Sequence, residues 1–217
     1  MTIEEKLIKI YKERVNDFEH IVKTYPDTDL AGPLLMSPNK KYEVQSKRLL
    51  IIGQQTNGWT YDVSDVNKQM GTYKGFNLGI NYYSSPFWNI TRKLENAIGI
   101  QEYSCAWTNV NKFDLNAGKP YGEYEKEIEK LDDLLIKEIE IIKPDICVFF
   151  TGPSFDNRIK KAFNGVSFNK IDNWDKRQLT KLEHPLLPEL TFKTHHPKSL
   201  RIRHIENRFI EFMKGIK

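Results

Sequence analysis

Four polar runs carry the reactive and hydrogen-bonding side chains of this chain, and each directly follows a short apolar segment. Gly53-Gln54-Gln55-Thr56-Asn57-Gly58 follows Leu49-Leu50-Ile51-Ile52, and Thr108-Asn109-Val110-Asn111-Lys112 follows Tyr103 to Trp107. Thr151-Gly152-Pro153-Ser154 follows Asp145 to Phe150, and Thr194-His195-His196-Pro197-Lys198-Ser199-Leu200-Arg201 follows Leu190 to Lys193. The runs offer amides, hydroxyls, imidazoles and cations, with no cluster of carboxylates. Gln54, Gln55, Asn57 and Asn109 present paired donors and acceptors, which suit the edge of a nucleobase or another planar amide-bearing ligand. Bonding to loop backbone is the alternative use for the same groups.

Metal and cofactor chemistry are not expected. Hard cations want several oxygens and zinc wants three or four ligands, whereas the adjacent His195 and His196 would point to opposite faces of a strand. The first run lacks the glycine spacing and the Lys-Ser pair of a phosphate-cradling loop. Trp59, Tyr61, Tyr73, Phe76, Tyr82, Tyr83, Phe87 and Trp88 make the region after it rich in aromatic rings. Such rings can stack bases or simply fill a core. Lys198, Arg201, Arg203 and His204 lie near the start of the last helix, where free backbone N–H groups also favour an anion. A phosphate backbone would satisfy both attractions, and a plain basic helix surface is the alternative.

The elements that must carry these runs follow from apolar spacing. Leu7, Ile10, Tyr11, Val15, Phe18, Ile21 and Val22 predict one amphipathic helix from Ile3 to near Pro26. Asp27 to Glu43 reads as a surface connection, and Lys47 to Ile52 as a strand buried on both faces. Gly53 to Pro86 reads as one long loop, of a length that is usually functional. Helices are expected over Phe87–Ile98, over Glu123–Ile142 up to the stop at Pro144, after Ser154 as N-cap, and through Ile202, Ile205, Phe209 and Phe212. Further strands fall at Tyr103–Trp107, Asp145–Phe150 and Leu190–Lys193. Val166–Phe168 and Gln178–Leu182 fit the alternation poorly and suggest short antiparallel additions.

Strands alternating with helices imply a three-layer α/β/α sandwich around a central, mostly parallel four-stranded sheet. Right-handed crossovers then bring the polar runs to one edge, where open α/β sheets bind their ligands. The 217 residues suit one domain, with residues 1–45 as an N-terminal helical extension. Lys plus Arg exceed Asp plus Glu by 33 to 29, a net charge of +4 that only weakly favours a polyanion. Cys105 and Cys147 are expected to be buried free thiols. No apolar run is long enough to span a bilayer, and the N-terminus has no apolar signal core. A cytoplasmic monomer without a membrane partner is expected.

Read in motif order from about Lys47 to Met213, the sequence resembles the uracil-DNA glycosylase superfamily. Gly53-Gln54-Gln55, Thr108-Asn109-Val110-Asn111-Lys112, Phe149-Phe150-Thr151-Gly152-Pro153-Ser154 and His196-Pro197-Lys198-Ser199-Leu200 carry the resemblance. It implies that Gln55 positions the water attacking the sugar, at a place where the family most often has aspartate, asparagine or alanine. It also implies that Asn109 reads the pyrimidine edge, that His196 stabilises charge developing on the base, and that Leu200 wedges into the emptied stack. Gln54, Asn57, Phe87 and Trp88 complete the expected base pocket, while Lys198, Ser199, Leu200, Arg201 and Arg203 form the expected DNA contact. The implied activity is hydrolysis of the glycosidic bond of uracil or a damaged base in DNA, single-stranded or duplex. A neutral amide at Gln55 lacks the charge of a carboxylate, so the expectation is a slow or specialised glycosylase or a relative that binds without cleaving. An enzyme on a small nucleobase-like metabolite is the third reading.

Overall fold

In the computed structural model, which describes residues 1–216, the chain opens with α1 (Ile3–Lys12), α2 (Val15–Thr24), β1 (Leu30–Ala31), α3 (Lys40–Val44) and β2 (Leu49–Gly53). The middle supplies α4 (Val66–Phe76), a 3-10 turn over Asn77–Tyr82, α5 (Pro86–Ala97), β3 (Ala106–Asn109), β4 (Asp114–Leu115), α6 (Gly122–Glu129) and α7 (Asp132–Ile142). Then come β5 (Ile146–Phe149), a 3-10 turn over Pro153–Phe155, α8 (Asp156–Ala162), β6 (Ser167–Lys170), β7 (Leu179–Glu183), β8 (Leu190–Thr194), α9 (Pro197–Ile202) and α10 (Glu206–Lys214).

The protein is α/β, with a six-stranded central sheet in the order β3-β2-β5-β8-β7-β6 and helices flanking it. β2, β5 and β8 run parallel, Leu50 opposite Cys147 and Cys147 opposite Thr191. β7 and β6 add antiparallel. The expected sheet of four strands is therefore one of six, and the two extra strands are the antiparallel segments that broke the alternation. Leu49 to Ile52 are fully buried, because a central parallel strand is covered on both faces. Each such side chain contributes about 1.5–3 kcal/mol on leaving water.

The residues group into two compact units, each drawn from three stretches of chain. The first comprises 1–37, 54–75 and 108–143, and the second 38–53, 76–107 and 144–217. In the first unit, α1 packs on α7, and β1 pairs antiparallel with β4. Thr2 and Glu5 close a capping box at the start of α1, the Glu5 N–H donating to Thr2 Oγ1 at 3.1 Å and the Thr2 N–H to Glu5 Oε2 at 2.7 Å. In the second unit, α5 packs with α9 and α10. Ser85 caps α5 by accepting the Trp88 N–H at 3.3 Å, and Pro86 occupies its first turn.

Several boundaries differ from those the spacing predicts. The first helix is two, broken at Glu13–Arg14, where the Arg14 guanidinium is drawn to Asp133 at 3.1 Å and to the Lys130 carbonyl at 2.8 Å. The helix over 123–142 and the C-terminal helix are likewise each two. The long loop after β2 contains α4 and a 3-10 turn, which Gly71, Gly75 and Gly79 disguise. Ser154 is not an N-cap: it is exposed within the turn that follows Gly152, and no side chain caps either that turn or α8.

Candidate functional site

In the first unit, two loops are tied into one frame. The Gln54 carbonyl accepts the Asn111 N–H at 2.8 Å, joining the loop after β2 to the loop after β3. Farther along the first loop, Thr56 Oγ1 donates to Asp114 Oδ2, and the Gly58 N–H donates to the same oxygen at 3.1 Å. Asp114 is fully buried; burial raises its pKa, against the opposing effect of these hydrogen bonds. Gln69 closes the far side, accepting the Trp59 indole N–H at 3.2 Å and donating to the carbonyls of Gly32 at 3.0 Å and Asp62 at 2.7 Å.

Of the amides expected to read a base, two carry a buried atom left unanswered. Gln55 is half-buried with its Oε1 shut off from solvent, and Asn109 is 1% exposed with its Nδ2 equally shut off; neither atom has a hydrogen-bond partner. A buried polar atom left so costs about 1–3 kcal/mol, and native proteins contain few of them. One is an acceptor on the loop after β2 and the other a donor at the end of β3, and the Gln54–Asn111 bond ties that loop to the one that leaves β3. Asn57 is exposed, while Gln54 is half-buried.

Two other residues of the second polar run serve the interior. Lys112 Nζ reaches the Glu138 carboxylate at 2.6 and 2.8 Å and Thr108 Oγ1 at 2.7 Å. The Thr108 hydroxyl donates to Glu138 at 2.8 Å, and the Tyr11 hydroxyl donates to it at 2.7 Å. All four residues are fully buried. Burial, and then the Glu138 charge, hold the Tyr11 phenol well above its usual pKa.

In the second unit, parallel β2, β5 and β8 release their carboxyl ends at one edge of the sheet. The Gly152 N–H donates to the Thr194 carbonyl at 2.9 Å and joins two of those ends. Gly152 has φ +69°, a conformation that L side chains avoid. Past β8, His195 is buried and His196 half-buried. His196 Nδ1 accepts the Lys198 N–H at 3.3 Å and caps α9, with Pro197 at its first position. Burial, and secondarily the Lys198 charge, lower the His196 pKa. The imidazole is thus neutral at pH 7, with Nδ1 engaged as acceptor and the proton on Nε2.

The sign of this shift makes two expectations. Folding holds His196 neutral, so its contribution to stability is complete above the ordinary histidine pKa of about 6.5 and declines as pH falls below it. Replacing Lys198 with Gln removes the nearby cation, and an NMR titration of the imidazole is expected to show the His196 pKa rising toward the ordinary value. An unchanged titration would show that burial alone sets it.

The remaining residues separate by exposure. Phe87 is half-buried with its ring centroid 5.9 Å from that of His196, whereas Trp88 is buried beneath Gly79. A Cβ on Gly79 would lie 2.4 Å from the indole. Of the two aromatics expected to stack a base, the exposed surface belongs to Phe87. Leu200 is fully buried, so it does not present the wedge expected of it; Ile202, on the same helix, is 66% exposed. Arg201 is engaged with Glu206 at 2.9 Å and Asn89 at 2.8 Å. Lys198 and Arg203 are exposed and Ser199 half-buried.

Comparison with protein-family models finds no match to this chain, and comparison with curated proteins finds no relative. Among the described residues, no helix is long and apolar enough to cross a membrane, and no group of three or more His, Cys, Asp or Glu side chains is placed to hold a metal ion. Both cysteines are free and buried, and burial pushes both thiols above their usual pKa.

Spacing alone missed Thr56, Gln69 and Asp114, the residues that shape the first loop. Asp114 follows the second polar run closely enough to be noticed, but nothing local marks it as the anchor of a loop 56 residues upstream. Gln69 sits in the helix that the glycines hid.

Proposed function

We propose that this protein binds a nucleobase displaced from its stack and hydrolyses its N-glycosidic bond, on a fold of the uracil-DNA glycosylase type. The observation that carries the reading is the pair of buried, unpartnered amide atoms, Gln55 Oε1 on the loop after β2 and Asn109 Nδ2 at the end of β3, whose following loop is bonded to the first. In a base-releasing reaction, water attacks the anomeric carbon, the C–N bond breaks, and its electron pair leaves with the base. Asn109 Nδ2 is the kind of donor that holds the base oxygen as charge develops there. Gln55 Oε1 accepts a water O–H and orients its lone pair toward the sugar.

A binding protein without cleavage is the second reading, and one observation favours it. Gln55, which would orient the water, is a neutral amide and cannot take up its proton as a carboxylate would. Oligonucleotides containing uracil, hypoxanthine or xanthine, incubated with protein and then cleaved by alkali, separate the readings. Slow release from at least one of them is expected. Gln55→Ala should slow it by about 100-fold and Gln55→Asp, by supplying a general base, should speed it by about 10- to 100-fold. Salt-sensitive DNA binding without release from any substrate would establish the second reading. Failure to bind at all would sink both.

A further inference from the structure

Just past the carboxyl end of β8, the second unit carries an imidazole that the proposed chemistry does not use. His195 is 7% exposed. Its ring nitrogens have no hydrogen-bond partner among the described residues, yet neither is shut off from solvent. The backbone beside it is fixed from two sides. The carbonyl of Thr194 accepts the Gly152 N–H at 2.9 Å, and the Thr194 hydroxyl donates to the Gln178 carbonyl at 2.7 Å. Gly152 lies alongside the ring, where a Cβ would stand 3.8 Å from His195 Nδ1.

Cations approach this ring from three stretches of chain. The antiparallel pairing of β7 with β8 sets Leu179 opposite Thr194, which brings Arg177, just before β7, to the end where β8 stops. Arg203 ends α9, its N–H donating to the Ser199 carbonyl at 3.0 Å, and side chains on a helix lean toward its start, here at His196. Lys193 is the third, on β8 itself. Burial first, and then the charges of Arg203, Lys193 and Arg177, hold the His195 pKa below its ordinary value, while Asp175 opposes them. Lys193 is answered by Asp156 at 2.5 Å, and Asp175 Oδ1 accepts the Arg177 backbone N–H at 2.7 Å. Arg201, close by in sequence, is held by Glu206 and Asn89. Among the described residues, the guanidinium groups of Arg177 and Arg203 have no hydrogen bond or ion pair, and both residues are exposed. Two unanswered guanidinium groups about a buried imidazole with open nitrogens form a donor set without its acceptor.

We infer that His195, Arg177 and Arg203 bind a phosphate group beside the carboxyl end of β8. Each guanidinium offers a planar fork matched to two phosphate oxygens, and the neutral imidazole offers an N–H. An anion there relieves the repulsion among the cations, which a neutral ligand leaves in place. A carboxylate has two oxygens to share among three donor groups, and phosphate has more. The site lies wholly within residues 144–217 of the second unit and does not depend on Gln55 or Asn109. Free phosphate or a monoester shares this chemistry with the diester of a nucleic-acid backbone.

The test titrates the full-length protein with inorganic phosphate at constant ionic strength while NMR follows the His195 imidazole. Phosphate should raise the His195 pKa, should do so saturably, and should leave His20 in the first unit unmoved. Arg177→Gln and Arg203→Gln should each raise the His195 pKa before phosphate is added, because each removes a cation. Each should also weaken phosphate binding by about 10-fold or more, as the loss of a charge-assisted hydrogen bond does. Both side chains are exposed, so the denaturation midpoints of the variants should match the parent. Dimethyl phosphate, run in parallel, separates the sources. A response to it admits the diester of a nucleic-acid backbone, and a response to inorganic phosphate alone assigns free phosphate or a monoester; either supports the site. A response to neither, a shift that does not saturate or that His20 shares, or parental binding in both arginine variants would overturn it. None of these readouts requires base release, so their failure would leave the proposed reaction standing.

Discussion

Replacing Glu138 with alanine is expected to lower the unfolding free energy by about 3–5 kcal/mol, because it strands the Lys112 ammonium in a fully buried position. The loss is larger than a single hydrogen bond accounts for. Thr108 and Tyr11 lose their acceptor at the same time. Domains are commonly stable by only about 5–15 kcal/mol, so the variant should unfold at a much lower denaturant midpoint. The double substitution Glu138→Leu/Lys112→Met is the informative control. It removes both charges and leaves volume behind, and it should recover most of the loss, since buried pairs are often replaceable by apolar side chains at little cost. If the double variant were as unstable as Glu138→Ala, the ion pair would be worth more than its desolvation, contrary to this reading.

Replacing Asn109 with leucine is expected to move stability and function in opposite directions. The side chain is nearly isosteric and removes a buried donor that has no partner in the free protein, so chemical denaturation should show a gain of about 1 kcal/mol. Base release, or base binding where release is absent, should fall by about 100-fold or more, the effect of deleting one donor aimed at developing charge. A group maintained for structure alone would lose on both counts. A variant less stable than the parent would show that Asn109 bonds within the protein, and the amide pair would no longer support a ligand.

The strand cores were readable because their information is local. Leu49 to Ile52 and Ile146 to Phe149 are unbroken apolar runs, and both lie in the buried middle of the sheet. Val166–Phe168 and Gln178–Leu182 were legible as antiparallel for the complementary reason, that they broke the alternation. Helix breaks were not legible, because long-range contacts accompany them: Arg14 turns toward Asp133 and the Lys130 carbonyl, more than a hundred residues on. The same holds at the site. Gln55 and Asn109 stood out by residue type and position after a strand, but Leu200 did not disclose that its side chain would turn inward. Arg201, equally, reads as a free cation until Glu206 and Asn89 are seen to engage it.

The chain passes from one unit to the other five times, after residues 37, 53, 75, 107 and 143. This interleaving has a consequence for synthesis on the ribosome. Leu7, Tyr11 and Phe18 are made before the rest of their unit, and the surface that buries Tyr11 is completed only when Glu138 follows, 127 residues later. Until then the nascent chain carries an uncovered apolar helical face, the kind of exposed intermediate that chaperones hold. This segment is thus made well before the partners that secure it, and removing it would delete part of a unit's interior.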